Sequence, residues 1–248
     1  MINTVKSSDG TNTAYSSEYK EHYHSTKDGA LNESLNKHVI PALLHVRDKE
    51  EIYILDICFG LGFNTLATLY YMKKNDIKKR VNIFSPELDG DLVCSLKDFD
   101  YPDEFKEFLP VIKSISESGE YVDKSLHVKV IIGDAREYLL TCKERFDIVY
   151  QDAFSPMVNP ILWTKEYFAD ISRVIRDDGI LTTYSMAFKT RLALYENGFN
   201  IYINSGEGFR DSTLASKSDI NVTKVDMEHK ISCNSEIKSL YDVDYGYN

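Results

Sequence analysis

Residues 52–67 read IYILDICFGLGFNTLA, and how that stretch is parsed decides the fold. Residues 52–57 form a short apolar run, the pattern of a strand buried in a parallel sheet. Asp56 stands near its end and Gly60 and Gly62 follow. Phe63, Leu66, Ala67, Tyr70 and Tyr71 then recur at the i, i+3, i+4, i+7, i+8 spacing of an amphipathic helix. Strand, glycine turn and helix together are the unit with which a doubly wound sheet builds a ligand crevice at its carboxyl edge. Glycine suits the turn because a side chain would hold the backbone off a ligand, and because the dihedrals are unusual. Alone, the turn is a weak signal. A dinucleotide fingerprint has a third glycine where this chain has Thr65, and such a turn also serves simply to pack a helix on a sheet.

Repetition of acids at strand ends gives the turn its meaning. Residues 80–86 (RVNIFSP) read as a second strand followed by Glu87, about 30 residues past Asp56 and so one βαβ unit away. An acid there is either the holder of ribose hydroxyls or a solvated strand end. Residues 127–132 make a third strand, ending in Gly133 and Asp134 before a helix at 135–142. Asp134 reads as the cap of that helix or as an acceptor for an adenine amino group. The fourth strand, 146–150, runs into QDAFSPMVNPILW, with Asp152 just past its end and Pro156 and Pro160 stiffening the loop. Asn159 and Pro160 open a helix bearing Phe168, Ile171 and Ile175, which is expected to stop at Asp178-Gly179. Strands at 180–184 and 200–204 flank a helix at 188–196, and 212–216 is expected to pair antiparallel with the latter strand.

Asp56, Glu87, Asp134 and Asp152 therefore fall at one edge of one sheet, where ligands bind. No P-loop lysine and no GxSxG elbow accompany them, which argues against NTPase and hydrolase chemistry. An acidic crevice fits a cofactor with ribose, adenine and a carbon-bound cation better than one with pyrophosphate. S-adenosylmethionine is that cofactor.

Composition sets outer bounds. The 248 residues, 43% apolar and 27% charged, are ordinary for a globular protein. A net charge of −10 argues against a broad nucleic-acid footprint, though not against a local basic rim. Cys58, Cys94, Cys142 and Cys233 form no CxxC pair, so neither a disulfide framework nor a metal site is expected. The polar N-terminus and the lack of a membrane-length apolar run give the expectation of a soluble, cytoplasmic protein with no membrane partner. Residues 1–50 read as an extension packing on the core, 51–218 as the core with a helical insertion at 98–125, and 219–248 as an acidic extension or loose tail. Within the first, Leu31, Leu35, His38, Val39 and Leu43 suit a helix interrupted at Pro41. His22 and His24 on a strand would share one face, as metal ligands or as ordinary polar groups.

Seven segments carry a family likeness: YKEHYHSTKDGALNES, LDICFGLGFNTLA, FSPELD, GDARE, YQDAFSPMVNPILWT, DDGILTTYSMAFKTRLALYENGF and GFRDSTLAS. Together they resemble the bacterial tRNA 5-methylaminomethyl-2-thiouridine methyltransferases, and the pairing of GLGFN with DAFSPMVNPILW is the specific part. Cys58 stands where that family has the first glycine of the turn, and Leu88 departs from its pattern after Glu87. The resemblance implies a Rossmann-like class I α/β fold, mostly parallel and doubly wound, with an antiparallel last strand. It implies an S-adenosylmethionine-dependent N-methyltransferase acting on the 5-aminomethyl group of the wobble uridine, with the tRNA anticodon stem-loop as partner. Asp56, Gly60, Gly62, Asn64, Glu87, Asp134 and Ala135 would hold the cofactor, and Asp152 would be catalytic. Phe154, Tyr184 and Phe188 would wall an extruded base. Lys189, Arg191 and Arg210, with Lys165, would contact phosphates or be solvated surface charges. The best-known members also carry a flavin-dependent oxidase domain, for which this chain reads as too short. Two other readings stand beside this one. A spermidine synthase-like aminopropyltransferase would favour a triple-glycine turn that CFGLGFN is not. The other is a non-catalytic adenosyl-binding subunit.

Overall fold

A computed structural model describes residues 3–247; residues 1, 2 and 248, the outermost parts of the two expected extensions, lie outside the described residues. The chain opens with a small antiparallel sheet of β1 (Thr4–Lys6), β2 (Asn12–Ser16) and β3 (Glu21–His22). A helical run follows: α1 (Ala30–Glu33), a π-helical stretch Ser34–Val39 and α2 (Ile40–His45). Pro41 does not interrupt it. It sits in the first turn of α2, and the wider π winding before it carries the chain through.

The strands of the main sheet are β4 (Glu51–Ile57), β5 (Arg80–Glu87), β6 (Glu120–Val122), β7 (Leu126–Ile132), β8 (Phe146–Gln151), β9 (Ile175–Thr183), β10 (Asn200–Asn204) and β11 (Ser212–Ser216). The helices between and after them are α3 (Phe63–Lys74), α4 (Gly90–Ser95), α5 (Leu109–Ser118), α6 (Ala135–Thr141), α7 (Lys165–Val174), α8 (Phe188–Glu196) and α9 (Met227–Cys233). Strand order is β10-β11-β9-β8-β4-β5-β7-β6. The five inner strands β7, β5, β4, β8 and β9 are parallel, and β11 runs antiparallel to both β9 and β10. This is the doubly wound sheet with an antiparallel closing strand that the pattern predicts. The 98–125 segment is helical as expected but also adds an edge strand. Gly119, at φ 76°, ends α5 and turns the chain back so that β6 pairs antiparallel with β7.

Strand β4 explains why the sheet is covered on both faces. Ile52 and Ile54 enter one core with Leu66 and Ile83, whereas Leu55 and Ile57 enter the other with Leu139 and Ile171. All four β4 side chains are fully buried, each stabilising the fold by about 1.5–3 kcal/mol. That period-two split over two apolar layers is what an unbroken apolar run encodes.

Three boundaries differ from expectation. Asn159-Pro160 opens only a 3-10 turn, Pro160–Leu162, and α7 begins after Thr164, whose hydroxyl accepts from the Tyr167 N–H at 3.2 Å. Helix α7 ends at Val174, so Ile175 belongs to β9. Asp178-Gly179 lies in an irregularity of that strand, where Phe146 faces Ile175 but Ile148 faces Ile180. Gly179 is required by close approach: a Cβ there would lie 2.8 Å from Ile175 Cγ1 and 3.1 Å from the Asp147 carbonyl. Finally, the described part of 219–248 is no loose tail. Leu240 bridges Thr164, and the Arg136 guanidinium grips Asp242 through two bonds of 2.6 and 2.5 Å, with the Tyr247 ring 4.1 Å away. Among the described residues no helix is long and apolar enough to cross a membrane.

Asp242→Ala would leave a 4% exposed arginine without its carboxylate. The expected cost is about 2 kcal/mol, against almost none for Asp244→Ala, an exposed control. Urea unfolding of both variants measures the difference.

Candidate active site

The carboxyl edge of the parallel strands opens into a cleft of about 840 Å³. Its floor is the turn after β4. Cys58 holds φ +64° there, a left-handed conformation that costs a non-glycine residue about 1–2 kcal/mol. The position needs the dihedral for which the resembling family uses glycine. Gly60 also has positive φ, and a Cβ on it would meet the Tyr23 ring at 3.2 Å. Its N–H donates to Glu87 Oε2 at 2.8 Å, while Glu87 Oε1 accepts from the Asp89 N–H at 2.9 Å. Burial pushes the Glu87 carboxyl up, against these two bonds. Gly62 turns the chain into α3 against Phe59 and Ile112 and does not line the cleft.

Asp56 does not reach the cleft either. It lies beneath α3, 1% exposed, accepting from Thr65 Oγ1 at 3.0 Å. Burial, opposed by the Thr65 bond and reinforced by the charge of Asp152, raises its pKa to about 8. Asp134 caps α6, its Oδ1 accepting from the N–H groups of Arg136 and Glu137 at 2.7 and 3.2 Å. It lines the cleft as well, with Ala135.

Asp152 follows β8 at the far wall. Its Oδ2 accepts from Asn64 Nδ2 at 2.8 Å, and its Oδ1 lies 3.4 Å from His38 Nε2. His38 is fully buried on the π-helical stretch, with Nδ1 2.9 Å from Thr182 Oγ1 and its ring edge-on to Tyr150. Its Nε2 is too poorly aligned on Asp152 for a hydrogen bond and has no other partner among the described residues. Burial alone would raise the Asp152 carboxyl, but His38, then His24 and the Asn64 amide, hold it below its ordinary value. His24 is itself buried, and that burial pushes its pKa down. It packs on Phe63 and sits 3.1 Å from Thr13 Oγ1, whereas His22 is exposed against Tyr15. Both line the cleft, His22 from its exposed rim and His24 from the buried side.

An aromatic wall covers the Asp152 side. Phe154 stacks on Tyr19 at 4.6 Å and meets Tyr23 at 5.0 Å. Tyr184 donates to the Ala153 carbonyl at 2.9 Å, and Trp163 Nε1 donates to the Phe154 carbonyl at 2.7 Å. Glu21 accepts from the Ser155 N–H at 3.0 Å, fastening the N-terminal segment to this loop. Arg210 stands at the mouth, 3.0 Å from Asp28, which also holds Lys37 at 2.6 Å.

Of the expected residues, the structure brings Gly60, Asn64, Glu87, Asp134, Ala135, Asp152, Phe154, Tyr184 and Arg210 to one cleft. Phe188, Lys189 and Arg191, on α8, do not line it. Phe188 and the buried Arg191 line a separate pocket of about 220 Å³. Lys165 pairs with Glu196 instead. Tyr19, Tyr23, His24 and His38 join the site without having been singled out for it. Their signals are the Tyr- and His-dense run after residue 15 and, for His38, its place on the apolar helical face, neither of which says that the segment folds over the sheet edge.

The walls carry Glu18, Glu21, Glu33, Glu87, Asp89, Asp134 and Asp152 against Lys27 and Arg210. Asn64 Oδ1 is buried there without a partner. Such a set suits a ligand with cationic centres and hydroxyl or amino donors, and S-adenosylmethionine, with its sulfonium, ammonium and ribose, fits it.

Asp56 gives a test of these electrostatics. A carboxyl raised from 3.8 to about 8 contributes most stability at low pH and loses it progressively as pH climbs through that window. Asp56→Asn should remove this part of the decline. Chemical denaturation at pH 5 and pH 8 should show a smaller loss in the variant than in the wild type.

Comparison with known proteins agrees with this geometry. A family model described as S-adenosyl-L-methionine-dependent methyltransferase matches residues 101–218. An uncharacterized protein of Methanocaldococcus jannaschii is 32% identical over 218 residues, 86% of this chain and 59% of that protein. The tRNA 5-methylaminomethyl-2-thiouridine biosynthesis bifunctional protein MnmC of Azoarcus sp. is 28% identical over 82% of this chain. This chain spans 33% of that relative's length. The crystal structure of MnmC2 from Aquifex aeolicus superposes with a TM-score of 0.83 at 30% identity, covering 96% of this chain and 76% of that one. The chain therefore belongs to the S-adenosylmethionine-dependent methyltransferases of the MnmC type.

Proposed function

We propose that this methyltransferase acts on tRNA, methylating the primary amine of a 5-aminomethyl group on the wobble uridine of the anticodon loop. The names of the MnmC relatives support the substrate class. Neither the aminopropyltransferase nor the non-catalytic reading gains support from any of them. The observation that carries the chemistry is the Asp152 carboxylate, kept ionised at the cleft wall with one oxygen tied to Asn64 and the other facing His38.

When bound, the cofactor supplies an electrophilic methyl group on a sulfonium. The chain's own task is to present a neutral amine in line with it. Asp152, as an anion, accepts a hydrogen bond from the amine and aims the nitrogen lone pair. It is also the nearest base for the proton that nitrogen must lose. Tyr19, Tyr23, Phe154 and Tyr184 surround that position with apolar surface, which disfavours the ammonium form of the substrate. The same aromatic faces suit a base turned out of its stack. Asn64 fixes the carboxylate from α3, so attack geometry is set by a helix and a strand end, not by a free loop.

Asp152→Ala should keep cofactor affinity and slow single-turnover methyl transfer by about 10²-fold or more. Asp152→Asn should fall between that variant and the wild type if aiming dominates, and match Ala if proton removal dominates. The assay is labelled methyl incorporation into tRNA lacking this methylation, followed by nucleoside analysis. Full activity in Asp152→Ala, or no methylated 5-aminomethyluridine from the wild type, would end this reading.

His38 separates a positioning role from simple packing. Removing it takes away the strongest influence that lowers Asp152. In His38→Gln the acid limb of the kcat/KM profile should therefore move to higher pH, while activity well above it recovers toward the wild type. His24, Asp56, Glu33 and Tyr150 face the same region and stay in place. A uniform loss at every pH would mean that His38 acts through packing alone.

A further inference from the structure

The cleft is lined by acids, and an RNA backbone is repelled by such a rim. Tyr184 lines that cleft, and Met186 lines the smaller pocket beside it, two residues on and so at most about 7 Å along the chain. The charge pattern reverses between the two. The smaller pocket is walled by Met186, Phe188, Arg191, Met227, Lys230 and Asn234 among others, and no carboxylate is part of its lining.

Arg191 is its central feature. The side chain leaves α8 and is 8% exposed. Its Nε donates to Thr213 Oγ1 at 3.0 Å, and that hydroxyl donates onward to the Ser185 carbonyl at 2.6 Å. Among the described residues its Nη2 meets only the Met186 sulfur, a weak acceptor. Among the described residues no carboxylate lies within ion-pair distance of it, although every other arginine at least nine-tenths buried has one, namely Arg136 with Asp242. The charge of exposed Asp211 reaches it only from beyond ion-pair distance; a buried guanidinium without a paired anion is costly, and in a chain of net charge −10 acids are not scarce. Helix α8, nine residues long, starts at the same place with no side chain capping its first turn. Lys230 and Asn234, one turn apart on and just past α9, close the far side. Exposed Lys189 adds charge nearby on α8.

We propose that this pocket is an anion site that takes a phosphate group, specifically a backbone phosphodiester of the RNA whose base enters the neighbouring cleft. The inference rests on the tRNA reading above for the source of the phosphate, and on the pocket itself for the chemistry. Arg191 supplies a planar pair of donors, Lys230 a mobile charge, and the uncapped helix start backbone N–H groups. Base and backbone are thus received by two adjoining sites of opposite sign.

Two arms test it on the full chain. In the first, inorganic phosphate is titrated while the Arg191 Nε–H signal is followed by NMR, assigned with Arg191→Lys. In the second, an anticodon stem-loop RNA is bound over a range of salt by the wild type, Lys230→Glu and Arg191→Gln. The expected results are a saturable phosphate shift and RNA binding weakened about five- to tenfold in each variant. The salt slope should become shallower by roughly one phosphate contact, with cofactor affinity retained. Lys230 is exposed, so Lys230→Glu carries the test should Arg191→Gln fail to fold. Unchanged RNA affinity and slope with no phosphate shift overturns the site. A phosphate shift with RNA binding indifferent to both variants overturns RNA as the occupant and leaves free phosphate. A phosphate shift in a wild type that binds no RNA overturns the tRNA reading while the anion site stands.

Discussion

The hydrogen bond from the Gly60 N–H to Glu87 Oε2 joins the turn after one strand to the end of the next. The rest of the site hangs on it. It forms only because Cys58 and Gly60 both hold positive φ, which points the amide across the sheet edge. With the turn fixed, α3 starts in register, Asn64 meets Asp152, and Thr65 meets Asp56 beneath the helix. A single backbone conformation thus orders three carboxylates from three strands. Its cost at Cys58 is offset by burial of Phe59, Leu61 and Phe63 immediately after it.

The N-terminal segment completes what the sheet begins. Phe154 would be an exposed aromatic at a loop tip without Tyr19 and Tyr23 against it. Asp152 would face open water on one side without His38. Both contributions come from residues more than a hundred positions earlier in the chain, so the cleft is an interface between two stretches that are each incomplete. The region matched by the family model, residues 101–218, holds Asp134, Asp152, Phe154 and Tyr184 but neither the glycine turn nor Tyr19 and Tyr23.

Much of this was legible in the sequence, and the reason is periodicity. Apolar runs and strand-end acids repeat with the βαβ unit, so the succession of strands and helices, the pairing of 212–216 with 200–204 and the cleft edge followed from spacing. What was not legible depends on contacts that leave no local pattern. The end of α7 is one case: Asp178-Gly179 has the look of a helix stop, yet the close approach of the Ile175 side chain and the Arg176 and Asp147 carbonyls calls for that glycine inside a strand. Arg191 is another, since an exposed and a buried arginine on a short helix read alike until Thr213 is seen beside it. His38 is a third. Its place on the apolar face with Leu35 and Val39 was legible from helix spacing, but neither the π winding that carries it nor Asp152 as its neighbour leaves a local pattern.

The carboxylates that line the cleft also bear on what leaves it. On the proposed reading, methyl transfer removes the positive charge from the cofactor's sulfur, so the spent molecule would meet Glu87, Asp134 and Asp152 with one charge fewer. In a partly desolvated cleft each such carboxylate can favour the charged form by about 1–2 kcal/mol over the neutral one. On that reading a change of charge in the ligand weighs toward exchange without requiring the walls to move.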